Sequence, residues 1–177
     1  MRFAVVLLCA GVCALAQESK NSEKLAPYYP TPPSIVQKML EIAALTKGET
    51  MFDLGSGDGR IVIMAASKFK ADATGVELDE SLARQSSGEL RRKGLDKTSR
   101  IIHGDILQQD YSSANVVTAY LLPKAMELVR PILEKQLKKG ARVVAHDFEM
   151  VGWKSEKVET IEDDGEGRSH TIYLYRR

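Results

Sequence analysis

Met51-Phe52-Asp53-Leu54-Gly55-Ser56-Gly57-Asp58-Gly59-Arg60 is the stretch whose reading decides the fold. An apolar run carrying one acid meets three glycines at alternate positions. A second apolar run, Ile61-Val62-Ile63-Met64-Ala65-Ala66, follows without a gap. This pattern predicts a buried strand, a tight turn and a helix that begins at the turn. Glycine is needed where the backbone takes positive φ, or where a ligand must approach closer than a Cβ allows. The amino terminus of the helix adds free N–H groups and a partial positive charge. The stretch is therefore expected to cradle a polar ligand; an ordinary glycine turn between strand and helix is the simpler alternative.

Working outward, the chain reads as strands alternating with helices. Residues 34–47 form an amphipathic helix, with Ser34 as cap, Gln37 in the capping-box position and Lys47-Gly48 as its end. Residues 73–78 read as a second strand that carries Glu77 near its end. Asp79 caps a helix that runs to about Lys93 and stops at Gly94. Residues 100–105 give a third strand ending in Asp105, and residues 115–122 a fourth. Pro123 suits the first turn of the next helix, which Pro131 should kink or restart. Residues 141–148 are a fifth strand. The last two, residues 157–162 and 170–175, flank a hairpin turn at Asp163-Asp164-Gly165-Glu166-Gly167. The class is α/β, a mostly parallel sheet with one antiparallel strand near an edge.

Open sheets of this kind bind ligands at the carboxyl ends of their strands. Those ends carry Asp53 with the glycines, Glu77, Asp105, Tyr120-Leu121-Leu122-Pro123 and His146-Asp147. A dinucleotide site expects G-x-G-x-x-G. Here the spacing is one residue shorter and Asp53 and Asp58 flank the loop, which disfavours a pyrophosphate and suits a ligand bearing an ammonium and a sulfonium. Glu77 can accept from two ribose hydroxyls and Asp105 from an adenine amine. As simple structural roles, Glu77 would be a polar strand end and Asp105 a helix cap.

The amino terminus is different in kind. Arg2 precedes an apolar run over residues 3–13, and Ala14-Leu15-Ala16 offers small residues before Gln17. Residues 1–16 therefore read as a cleaved secretory signal or, second, as an uncleaved membrane anchor. The run is short for a transmembrane helix, and its single arginine argues against an organellar targeting peptide. Both cysteines, Cys9 and Cys13, lie inside it. Removal leaves no cysteine for a disulfide, a nucleophile or a thiolate zinc site, and no metal is expected.

Residues 17–33 are a lead-in that Pro27, Pro30, Pro32 and Pro33 keep from being helical. Its Tyr28 and Tyr29 either close over a ligand or pack the segment onto the domain. The domain proper is residues 34–177. The chain carries 25 Lys+Arg against 24 Asp+Glu, and losing Arg2 makes the balance zero, which argues against a nucleic-acid partner.

Asp53-Leu54-Gly55-Ser56-Gly57-Asp58-Gly59 resembles motif I of the class I, seven-stranded, S-adenosylmethionine-dependent methyltransferases. Tyr29-Pro30-Thr31-Pro32, residues 55–63, Tyr120-Leu121-Leu122-Pro123 and His146-Asp147-Phe148 resemble, more narrowly, small bacterial relatives of the mitochondrial lysine methyltransferases that modify ATP synthase and the adenine nucleotide translocase. The resemblance implies a Rossmann-like sheet of order 3-2-1-4-5-7-6, strand seven antiparallel, helices on both faces. The chain departs from that layout in lacking a helix between strands five and six. The resemblance further implies S-adenosyl-L-methionine as cofactor, held by Asp53, Gly55, Ser56, Gly57, Gly59, Glu77, Asp105 and Tyr29. It implies methyl transfer to a protein lysine, with a small-molecule methyltransferase or a non-catalytic cofactor-binding module as alternatives, and a nicotinamide-dinucleotide oxidoreductase last. Tyr120 and Pro123 are the candidates for shaping the acceptor channel. His146 and Asp147 are candidate proton acceptors, with a hydrogen-bonded strand end as the equal alternative. A monomer is expected, brought to a membrane by residues 1–16 whether or not they are cleaved. The signal conflicts with the function, because this cofactor is made in the cytosol: either residues 1–16 anchor the domain on the cytosolic side, or the chain is exported, which weakens the methyltransferase reading.

Overall fold

The computed structural model describes residues 29–177; the signal or anchor expected at residues 1–16 and most of the lead-in lie outside the described residues. The chain runs α1 (Pro33–Ile42), β1 (Thr50–Leu54), α2 (Arg60–Lys68), β2 (Asp72–Glu77), α3 (Glu80–Arg92) and β3 (Arg100–His103). A 3-10 turn (Ile106–Gln108) leads to β4 (Val116–Ala119), α4 (Pro123–Gln136), β5 (Arg142–His146), β6 (Lys157–Ile161) and β7 (His170–Arg176). The seven strands form one sheet in the order 3-2-1-4-5-7-6. β1 to β5 are mutually parallel, and β7 runs antiparallel to both β5 and β6. No helix lies between β5 and β6, as the sequence pattern implies.

Both faces of the central strands are covered, which is why they read as unbroken apolar runs rather than alternating ones. Met51, Val116, Val144, Ile172 and Leu174 face α1 and α2. Phe52, Leu54, Val117, Val143 and Ala145 face α4 and the 3-10 turn, with Tyr111 edge-on to Phe52 at 5.3 Å. Outside these layers, Arg142 ties β5 to the α1–β1 connection through Glu49 and the carbonyls of Ala43 and Ala44.

Six local expectations change. β3 stops at His103 rather than Asp105, which caps the 3-10 turn instead. α1 starts one residue earlier, at Pro33, with no side-chain cap. Ser34 instead reaches the Asp164 carbonyl, and Gln37 donates to Glu41. The cap residue, Pro32, has neither a side-chain acceptor nor an N–H, so no capping box can form, and Pro33 removes one of the orphan donors. The same helix ends at Ile42 rather than Lys47, where Ala44 takes a left-handed φ of 48°. β4 stops at Ala119, because Leu122 turns to cap α4 and its carbonyl accepts from Ala125 and Met126. β5 stops at His146, where Asp147 has φ 59°. Finally, α4 passes through Pro131 as one element, since Pro131 costs the helix one hydrogen bond while Met126, Val129 and Leu133 stay buried on its inner face.

Candidate active site

The glycine turn is built by backbone geometry that only its sequence permits cheaply. Gly55, Gly57 and Gly59 have φ of 72°, 53° and 77°, the left-handed region that disfavours a side chain. The N–H groups of Gly55 and Ser56 donate to the Val76 carbonyl at the end of β2, which fixes the loop over the sheet. Glu77 sits beneath it: one carboxylate oxygen accepts from the Gly57 N–H at 2.7 Å and the other from the Asp79 N–H at 2.8 Å. Each oxygen keeps a lone pair for a further donor. Asp79 accepts from the N–H groups of Ser81 and Leu82 and caps α3.

A cleft opens above this turn, lined by Tyr29, Pro30, Thr31, Asp53, Gly55, Ser56, Gly57, Asp58, Glu77, Asp105 and Tyr120, with Ile61, Leu78, Leu82, Ile106 and Leu121 as apolar wall. Asp53 is buried on β1 and accepts from the Thr118 hydroxyl at 2.7 Å. Burial pushes its carboxyl up to about 7; the Thr118 hydrogen bond opposes the shift, while Glu77 and Asp58 add to it. Asp58 holds Arg60 in a two-pronged ion pair, and Arg60 donates to the Thr31 carbonyl at 2.9 Å, fastening the lead-in across the cleft. Asp105 both lines the cleft and caps the 3-10 turn through Leu107 N–H at 2.8 Å.

Such a lining suits a cationic amino-acid group joined to a nucleoside. Carboxylates stand at Asp53, Asp58, Glu77 and Asp105, Glu77 offers hydrogen-bond acceptors to a ribose, and Leu78, Leu82 and Ile106 offer an apolar wall to a base. A pyrophosphate would meet acids instead of donors.

Comparison with known proteins agrees. A family model described as the ANTKMT methyltransferase domain matches residues 53–157. A protein-lysine N-methyltransferase of Saccharolobus islandicus (strain REY15A) is 42% identical over 150 residues, covering 84% of this chain and 92% of that protein. The ATP synthase C-subunit lysine N-methyltransferase of Homo sapiens is 30% identical, covering 84% of this chain and 60% of the human protein. Among solved structures, an RNA methyltransferase from Salinibacter ruber in complex with S-adenosyl-L-homocysteine superposes with a TM-score of 0.77, at 38% identity, over 84% of this chain and 93% of that one. The chain belongs to the ANTKMT methyltransferase-domain family. It is an S-adenosylmethionine-dependent methyltransferase.

Within this methyltransferase the residues singled out from sequence fall into two groups. Tyr29, Asp53, Gly55, Ser56, Gly57, Glu77, Asp105 and Tyr120 all line the cleft. Gly59 does not: it precedes α2, and a Cβ there would lie 2.9 Å from Cβ of Ser86 on α3, so its work is helix packing. Pro123 opens α4 outside the cleft lining. His146 and Asp147 stand behind Tyr120, whose ring lies over that of His146 at 4.0 Å. His146 is fully buried, so it cannot touch an acceptor directly, and burial holds its imidazole well below its ordinary pKa.

Sequence reasoning missed three partners of that pair. His146 Nε2 meets His170 Nδ1 at 2.9 Å, His170 Nε2 meets Asp164 at 3.2 Å, and His146 Nδ1 meets the Thr31 hydroxyl at 3.3 Å. No spacing in the chain signals this; only the antiparallel return of β7 beside β5 brings residue 170 to residue 146. Burial, then the charge and hydrogen bond of Asp147, raise the Tyr120 phenol, which keeps it protonated at neutral pH.

Proposed function

We propose that this methyltransferase modifies lysine side chains of a protein. The observation that carries the reading is the 42% identity to a protein-lysine N-methyltransferase over 92% of that protein's length. The cleft is consistent with it. A lysine ammonium is drawn toward a lining that, among the described residues, carries Asp53, Asp58, Glu77, Asp79 and Asp105 against one cation, Arg60, itself paired with Asp58.

When bound, the cofactor supplies a methyl group on a cationic sulfur and leaves as a neutral thioether. The chain's own task is then positioning and exclusion of water. Tyr120, half-buried at the end of β4, walls the acceptor side, and the carbonyls of Tyr120 and Leu121 can orient an incoming amine. Tyr29 closes the opposite rim, its exposed ring held under the Arg168 guanidinium at 5.3 Å. An ammonium with a free pKa near ~10.4 must lose its proton before attack, and desolvation between these rings favours that loss.

A second reading, an RNA acceptor, has the Salinibacter ruber relative behind it. The acidic lining speaks against a polyanion. The cytosolic origin of the cofactor favours the anchor reading of Arg2 and the apolar residues 3–13 over the secretory one, and an anchor would keep the domain and its acceptor beside a membrane on the cytosolic side; among the described residues no helix is long and apolar enough to cross a membrane.

The test is transfer of tritium from labelled cofactor into soluble, membrane and RNA fractions, followed by mass spectrometry. Methyl-lysine in a protein band, enriched in the membrane fraction, is expected. Tyr120→Ala should bind S-adenosylhomocysteine within about twofold of wild type yet lose most of the transfer. Label confined to RNA or to small molecules overturns the lysine assignment.

A further inference from the structure

The buried cluster behind Tyr120 has a geometry that the methyl-transfer reading does not use. Three atoms form a nearly equilateral triangle: His146 Nε2 to His170 Nδ1 is 2.9 Å, and each lies 3.3 Å from Asp147 Oδ2. Around a tetrahedral zinc ion with bonds of about 2.0–2.1 Å, neighbouring ligand atoms stand about 3.3–3.4 Å apart. A point about 2 Å from all three atoms therefore lies within about 1 Å of their plane. We propose that His146, Asp147 and His170 form a binding site for a divalent cation of the zinc class.

Three further observations support the site. The outer nitrogen of each histidine already has an oxygen partner: Asp164 Oδ2 on His170 Nε2, and the Thr31 hydroxyl on His146 Nδ1. That is the outer-shell arrangement by which metal-ligating imidazoles are oriented. With His170 protonated toward Asp164, its Nδ1 turns a lone pair toward an atom triangle that has more lone pairs than hydrogens to fill it. Asp147 is held in a left-handed backbone conformation, φ 59°, with its second oxygen fixed by the Thr171 N–H at 2.9 Å. Such strain is retained where the surroundings over-determine it.

The donor set chooses the ion. Two imidazoles and one carboxylate suit zinc, cobalt(II) or iron(II), whereas magnesium and calcium prefer all-oxygen ligands. Among the described residues no fourth histidine, cysteine or carboxylate joins the cluster, which leaves a position for water. Because Tyr120 rests on His146 and its phenol interacts with Asp147, an ion here would fix the acceptor-side wall; this last step alone rests on the proposed function.

The test uses the full chain, stripped by a chelator and dialysed against zinc or cobalt(II). One equivalent is expected to be retained, with the visible absorption of tetrahedral cobalt and a higher unfolding temperature. His170→Gln and Asp147→Asn should each lose retention at least tenfold, and Asp164→Asn about 10- to 100-fold. Unchanged S-adenosylhomocysteine binding by calorimetry shows that these variants are folded, independently of any methyl acceptor. Cys9 and Cys13 could bind zinc on their own, so retention that survives in both ligand variants overturns the site. So does a folded wild type that retains no ion at micromolar concentrations.

Discussion

Asp53 shows how one buried carboxyl couples folding to ligand binding. With its pKa raised to about 7, mainly by burial, its ionised form is disfavoured in the folded protein. The sign follows from the direction of the shift: the fold loses stability as pH rises from the ordinary carboxyl value of 3.8 through about 7. A cation in the cleft reverses the preference, since it stabilises the carboxylate and must bind more tightly where Asp53 is already ionised. S-adenosylhomocysteine affinity is expected to rise about tenfold between pH 6 and pH 8. Asp53→Asn should flatten most of that rise, and comparing the two slopes by calorimetry removes the contribution of the ligand's own amine. Parallel slopes would show that Asp53 does not titrate with binding. That Asp53, Glu77 and Asp105 line one cleft was legible from sequence because strand ends converge in any open parallel sheet. His170 and Asp164 were not, because their proximity to His146 depends on where a hairpin returns.

At the scale of elements, the glycine turn serves two clients. Gly57 lines the cleft, while Gly59 lets α2 and α3 approach, with its Cβ position only 2.9 Å from Ser86 Cβ. Gly59→Ala therefore adds a clash to the cost of a left-handed backbone, and a loss of about 1–3 kcal/mol in urea unfolding is expected. Ser86→Gly should recover part of it: the double variant should be less destabilised than the sum of the two single ones. Strict additivity would mean that α2 and α3 move apart freely. The sequence identified the turn but could not divide its glycines between ligand and packing, because both demands select the same residue. Helix and strand ends were legible only to within a few residues for a related reason. Pro33 replaces a capping side chain, and Leu122 and Asp147 end β4 and β5 by loop geometry that alternation cannot reveal. Pro131 shows the converse, a helix breaker overruled by the burial of Met126, Val129 and Leu133 around it.

On the scale of the whole molecule, near-neutral net charge conceals a segregated surface. The chain is +1 overall, yet among the described residues its cleft is lined by five acids and one arginine. Basic residues gather elsewhere, at Arg84, Arg91, Arg92 and Lys93 along α3 and at Arg176 and Arg177 at the end of β7. Of these, Arg84, Arg92, Lys93 and Arg176 pair with nearby glutamates. The field at the mouth is thus negative even though the molecule is not, and it acts on the acceptor during approach. Because exposed charges are screened within about 10 Å at 0.1 M salt, kcat/KM for a lysine-bearing protein acceptor is expected to fall severalfold as sodium chloride rises from about 50 to about 500 mM. A cofactor held by the buried Asp53 and Glu77 would be screened much less, so S-adenosylhomocysteine affinity should change less than about twofold over the same range. An anionic acceptor would show the opposite slope, with transfer improving as the repulsion is screened. Initial rates measured against salt with a subsaturating acceptor therefore separate the two readings, and a rising slope would remove lysine as the favoured acceptor.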